Sequence, residues 1–296
     1  MDLAALDPLL LLASLLAAAT PLIWAAMGEL VVERSGVLNL GVEGMMIIGA
    51  IAGFAAAVAT ASPALGFLAA AAAGAALALL FGLLTQILLA NQVATGLALT
   101  MFGLGLAALI GQPYSGIKPP PATRLAGQID VMVPLGLALA GAVWWFLARS
   151  RPGLILRAVG ENHDAAHALG YPVVAIRLAA IAFGGACAGL GGAHLSLVRV
   201  PQWTEGMTAG AGWIALAIVV FASWRPARVV LGAWLFGGVT ILQLNLQALG
   251  LGIGSAWMSM APYLMTILVL VLISAGRSRA ALGAPACLGR VFDASG

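Results

Sequence analysis

The chain of 296 residues is 62% hydrophobic and only 8% charged, with 13 Lys and Arg against 10 Asp and Glu for a net charge of +3. A soluble fold of this length cannot hide so much apolar surface, so lipid must be the solvent for much of it. The two cysteines exclude a disulfide framework, because Cys187 falls in an apolar run and Cys287 in the polar tail, where neither reaches the other.

A hydrocarbon core of ~30 Å needs ~20 apolar residues per crossing helix, which predicts an all-α, polytopic transmembrane bundle of about nine spans, within a range of eight to ten. The first run, at about 9–28, follows Asp2 and Asp7 instead of a basic segment, so it reads as a span and not as a cleaved signal peptide. The second, at about 39–60, opens within ERSGVLNLGVEGMMIIGA, residues 33–50. There Asn39 is placed to cap the helix and Glu43 follows one turn later, where the helix dipole tolerates its charge. Capping accounts for Asn39 but not for an ionisable group inside lipid, which makes Glu43 a candidate for gating or for lining a path.

The third and fourth runs, about 66–89 and 93–111, meet at a polar cluster of Gln86, Asn91 and Gln92. An outer loop over 112–130 carries Pro119, Pro120 and Pro121, a stiff spacer. The fifth run, about 131–148, leads into an inner loop over 149–176 that holds RPGLILRAVGENHDAAHALGYP. Asn162 as N-cap, Asp164 in the first turn and Gly170 with Pro172 at the far end predict a short helix over 163–169.

The sixth run, about 177–197, precedes a second outer loop at 198–210 and a seventh run at about 211–224. That run's ~14 residues reach only ~21 Å, too short for a simple crossing. Glycines at 206, 210 and 212, like those at 36, 41 and 44 near the second run, mark short or discontinuous helices beside a transport pathway. Elsewhere glycine serves close helix packing. In the eighth run, about 229–249, Gln243 and Gln247 share a face and Asn245 lies opposite; such amides either bond across helices or line a neutral polar path. A ninth run, about 259–275, completes the pattern. The substrate-path candidates are therefore Asn39, Glu43, Asn91, Gln92, Trp213, Gln243, Asn245 and Gln247.

Nine spans put the termini on opposite sides. With the C-terminus in the cytoplasm and the N-terminus outside, ten arginines lie inside and only Lys118, Arg124 and Arg199 outside, so topology explains the basic balance without a nucleic-acid patch. The whole chain, 1–296, reads as one transmembrane unit with no second soluble domain.

Catalytic motifs are weak. HDAAH, His163 to His167, has zinc-like spacing but an Asp where a hydrolase needs its Glu, and no third ligand close in sequence. The single lysine, Lys118, precedes Pro119, so no phosphate-binding P-loop exists and any ATP must be used by another chain.

Four ordered stretches, ERSGVLNLGVEGMMIIGA, NQVATGLALTMFGLGL, RAVGENHDAAHALGYPVVAIRLAAIAFGGACAGLGGAHLSL and GWIALAIVVFASWRP, resemble the membrane subunits of bacterial ABC importers. The resemblance is to the sugar, nucleoside and branched-chain amino acid permease superfamily, nearest its nucleoside-type branch, over about residues 20–275. It implies that 157–170 form a coupling helix docked on a cytoplasmic ABC ATPase, with Arg157, Glu161, Asn162, Asp164, Ala166, Leu169 and Gly170 carrying the contact. His163 and Asp164 stand where an Asn-Pro-type sequence is usual in this loop. The resemblance further implies an inner-membrane location, a second permease subunit that is commonly a different chain, and an external or lipoprotein substrate-binding protein. No cofactor is bound by this chain, ATP and Mg belonging to the partner ATPase, and the solute is a nucleoside or a purine-like compound moved by alternating access. Two competing readings are an ATP-independent secondary transporter or channel, with Glu43 as ion-coupling group, and an intramembrane metalloprotease resting on HDAAH alone.

Overall fold

The computed structural model describes residues 8–126, 129–248 and 283–293, together with single positions at 260, 264, 265, 267, 268 and 271. The helices are α1 (Pro8–Arg34), α2 (Val42–Thr60), α3 (Pro63–Gly82), α4 (Gln92–Gly111), α5 (Met132–Arg149), α6 (Arg151–Glu161), α7 (His163–Ala168), α8 (Val173–His194), α9 (Ala211–Phe221) and α10 (Pro226–Ala248). A two-stranded antiparallel hairpin, β1 (Arg124–Ala126) and β2 (Ile129–Asp130), precedes α5.

Side-chain caps set several of the helix starts. Asn91 Oδ1 accepts from the Ala94 N–H at 2.9 Å, Ser150 Oγ from Gly153 at 3.0 Å and Asn162 Oδ1 from Ala165 at 2.9 Å, each taking up a donor that the first turn leaves free. The helix expected over 163–169 is thus present as α7 with the cap read from the sequence. By contrast α2 begins at Val42 with Gly41 as its cap residue and no side-chain bond. Asn39 is not the N-cap; its Oδ1 accepts from the Gly41 N–H at 2.9 Å and shapes the turn leading into the helix. A second correction is α6, an amphipathic helix inside what reads as loop, opened by Ser150 with Pro152 in its first turn.

Among the described residues seven helices, α1 to α5, α8 and α10, are long and apolar enough to cross a membrane, α3, α4 and α8 being prolonged by π or 3-10 turns. The seventh predicted run is only the 11-residue α9, and the ninth, 259–275, lies largely outside the described residues. The centre of the bundle is α8, packed against α1, α2 and α3. Contact there is backbone to backbone: a Cβ on Gly189 would sit 2.1 Å from the Ala70 carbonyl oxygen, and one on Gly49 2.2 Å from Gly189 Cα. Small residues admit such approach where lipid gives no hydrophobic drive between helices.

The two ends of the bundle are locked differently. At the end where β1 and β2 lie, Asp130 accepts from the Met132 N–H at 2.7 Å and contacts His194 Nε2 at 2.9 Å, both side chains being buried. Burial alone would push the Asp130 carboxyl up, but the His194 contact and the Met132 N–H outweigh it and hold it below the usual carboxylate range. At the opposite end, α6 and α7 lie beside the end of α1 and the tail over 283–293.

Candidate functional site

Residues 200–225 join these two ends. Trp203 bridges to Ser115 and fills the space over Gly111 at the close of α4, whereas the Trp224 indole donates to Glu33 Oε2 at 2.5 Å near the close of α1. At about 1.5 Å per residue the 11 residues of α9 cover roughly 16 Å, half of a ~30 Å core, so the rest of this crossing is irregular backbone. Such backbone survives at membrane depth only if protein or cavity water satisfies it.

Glu43 supplies that satisfaction. It is 3% exposed in the first turn of α2. Its Oε1 accepts from Thr208 Oγ1 at 2.5 Å and from the Gly210 N–H at 2.9 Å, and its Oε2 accepts from the Gly212 N–H at 2.7 Å. Gly210 has φ +83°, a left-handed turn that a side chain would strain, and a Cβ on Gly212 would lie 2.5 Å from the Glu43 backbone nitrogen. The starts of two helices therefore converge on one carboxylate, where both dipoles favour negative charge. Trp213, the next residue of α9, is 41% exposed.

The loop before α2 is tied in as well. Asn39 is fully buried, with Nδ2 3.3 Å from Met45 Sδ. Thr100 Oγ1 donates to the Leu40 carbonyl at 3.1 Å.

The other path candidates lie elsewhere. Asn91 caps α4, while the buried Gln92 accepts from the Leu38 N–H at 2.8 Å and donates to the Arg290 carbonyl at 3.4 Å. Gln243, Asn245 and Gln247 are half-buried near the far end of α10, which packs along α1. Asn245 Nδ2 bonds back to the Ile241 carbonyl at 2.8 Å. The structure thus brings Asn39, Glu43 and Trp213 into one neighbourhood and leaves the α10 amides apart from it. A cavity of about 710 Å³ among α1, α5, α6 and α8 is lined mostly by apolar groups such as Phe146, Ile155 and Phe183, a poor match for a polar solute.

The coupling candidates divide in two. Ala166 is buried against Val159, Val173 and Phe292, whereas Leu169 stands 78% exposed and Asp164 is exposed in the first turn. Glu161 Oε2 accepts from the Ala286 N–H at 3.3 Å, and Gly170 closes α7 at φ +85°. Arg157 Nε is buried with no partner among the described residues.

Sequence reasoning missed Arg177, a fully buried guanidinium that joins five segments. Nε donates to the Ser35 carbonyl at 3.2 Å, Nη1 to Gln86 Oε1 and to the Arg290 carbonyl, both at 3.2 Å, and Nη2 meets His163 Nδ1 at 3.0 Å. An Arg at the mouth of an apolar run was legible only as topology; its partners lie up to 142 residues away. Because a guanidinium only donates, His163 Nδ1 must accept, so the ring is neutral and the HDAAH pair is engaged in packing. Burial first, then the Arg177 charge, holds His163 below its ordinary value near 6.5, against the opposing pull of Asp164.

These features define a multi-pass, all-α membrane protein with, among the described residues, a broken crossing anchored by a buried carboxylate. The chain belongs to the family described as branched-chain amino acid transport system / permease component, whose model matches residues 11–273. TsgC13 of Haloferax volcanii, provisionally named as a glucose ABC transporter permease, is 43% identical over 255 residues, or 80% of this chain and 77% of the relative. The guanosine ABC transporter permease NupQ of Bacillus subtilis is 34% identical over 85% of this chain and 88% of its own length. The nucleoside ABC transporter permease NupC of Lactococcus lactis is 32% identical, with 89% and 92% covered. No solved structure gives a significant match. The resemblance carried by the four sequence stretches is therefore upheld, including its nucleoside-type branch.

Two outcomes are expected. Glu43→Ala leaves three buried donors without an acceptor, each costing ~1–3 kcal/mol, so the unfolding midpoint in detergent should fall and amide exchange should rise at 210–214. Unchanged exchange there would refute the anchoring role. For His163 the folded state binds fewer protons than the unfolded one between the lowered and the ordinary pKa, so stability present above about pH 6.5 is lost as pH falls through that window. Thermal unfolding in detergent should show this decline, and His163→Gln should flatten it.

Proposed function

We propose that the chain is one transmembrane permease subunit of an ATP-driven ABC importer that moves a nucleoside or purine-like solute inward by alternating access. Its counterpart is a second, different permease chain, in keeping with the match of both NupQ and NupP, two guanosine ABC transporter permease proteins of Bacillus subtilis, to this sequence. A cytoplasmic ATPase holds the ATP and Mg, and a binding protein on the outer face delivers the solute. Residues 149–176 face the cytoplasm, α7 is the coupling helix, and Leu169 and Asp164 are the groups it presents to the ATPase.

The observation that carries the reading is the broken crossing at Gly210, where a half-exposed indole, Trp213, stands beside a carboxylate-anchored helix start. A flat aromatic face suits a heterocyclic base, and a short helix held at one end can tilt as a unit when the ATPases close. A sugar is the second reading, favoured by the name of TsgC13.

Reconstituted with its partners, the chain should take up labelled guanosine with ATP and without any ion gradient. Trp213→Ala should raise the apparent Michaelis constant by about 5- to 150-fold, as loss of ~1–3 kcal/mol of stacking implies. Glucose uptake with no guanosine competition would establish the sugar reading, and uptake driven by a gradient without ATP would overturn both. The orientation is checked separately: a reporter inserted near Pro120 should be active only outside and one fused after Gly296 only in the cytoplasm.

A further inference from the structure

The tail over 283–293 is held at Gly283, Ala286, Cys287, Gly289 and Arg290 by backbone and side-chain bonds to segments far away in sequence. The Cys287 N–H donates to the Gly160 carbonyl at 2.9 Å and the Ala286 N–H to Glu161 Oε2 at 3.3 Å, which fixes the tail to the end of α6. The Gly289 N–H donates to the Gly36 carbonyl at 3.1 Å, and the Arg290 carbonyl accepts from both Arg177 and Gln92, which fixes it to the α1–α2 loop, α8 and α4. Phe292, 5% exposed, then packs against the rings of His163 and His167, each with centroids 5.3 Å away, and closes the inward face of α7.

We infer that this tail is a strap that transmits displacement of α7 to the α1–α2 loop, with Phe292 as its positioning residue. The proposal rests on the reading of α7 as the coupling helix. Direct contact between α7 and the rest of the bundle is slight: α7 is a helix of 6 residues whose outer residues are exposed. Its buried residues, His163 and Ala166, meet Arg177, Val159, Val173 and Phe292. A push on α7 is therefore felt through Phe292 and Arg177, and both lead to the same place. Arg177 bonds the Ser35 carbonyl, the tail bonds the Gly36 carbonyl, and three residues further on stands Asn39, which shapes the turn into α2 and Glu43. Gln92, which grips Arg290 and the Leu38 N–H together, binds tail and loop into one body. Without the strap α7 would still present Leu169 to a partner, but its movement would reach the α1–α2 loop through Arg177 and the Ser35 carbonyl without the second grip at Gly36.

A merely structural tail and a transmitting one differ in the ratio of solute moved to ATP hydrolysed. The test uses the full complex with the Cys187→Ala chain, so that Cys287, buried with its Sγ 3.4 Å from the Glu161 carbonyl, reports tail release by maleimide labelling. Phe292→Ala should speed labelling of Cys287, leave the ATPase bound and turning over, and lower transport per ATP about tenfold, with Phe292→Tyr restoring it. Labelling that rises with an unchanged ratio overturns the proposal. If Phe292→Ala leaves Cys287 protected, deletion of 284–296 takes its place: a tenfold lower ratio supports the strap, and an unchanged ratio or loss of ATPase binding refutes it. Leu169→Asp separates this from the underlying reading, since an ATPase that stays bound to that variant refutes α7 as the coupling helix.

Discussion

Backbone that crosses lipid without being helical has to find its hydrogen bonds in the protein, and here one carboxylate meets that need. Glu43 takes two backbone N–H groups and one hydroxyl from the segment leading into α9, and in doing so joins the start of α2 to the start of α9. Remove it and the short helix has neither the length to span the membrane nor an anchor to hold it part way. The cost of burying this polar group is offset by these donors and by two helix starts, an arrangement that requires both helices to begin where they do.

A second node stands at the end where α1 closes. Arg177 draws Ser35, Gln86, His163 and Arg290 to one point, and its side chain is satisfied largely by carbonyl oxygens instead of by a carboxylate. Carbonyl partners tie the guanidinium to chain direction and not to a neighbouring charge, so the node fixes geometry. Between the two nodes runs the loop over 35–41, with Gly36 at φ +86° under the guanidinium and Asn39 at its far end. Whatever moves one node has this loop as its shortest route to the other.

The apolar runs made most of the bundle legible, because lipid imposes a length and a composition that a single sequence displays directly. Local chemistry was equally readable at α7, where Asn162, Asp164 and Gly170 act within one turn of their own positions. What stayed hidden depended on contacts remote in sequence. The role of Asn39 changed because the loop beside it folds inward against α4, and α6 went unseen because its charged face masked an amphipathic helix as loop. Glu43 stood out as an ionisable group in an apolar run, yet its partners at 208–212 carry no signal except their glycines. The tail was invisible in this sense too: Phe292 looks like one aromatic in a polar stretch until His163 and His167 are seen around it.

The separation of Glu43 from its donors, 165 to 169 residues along the chain, also bears on how the protein is made. At ~5–20 residues per second the ribosome takes on the order of ten to thirty seconds to cover that distance. For that interval Glu43 in α2 has none of its final partners. The side chain has to find other hydrogen-bond donors until Thr208, Gly210 and Gly212 emerge. The residue that anchors the finished crossing is therefore made long before the segment it anchors.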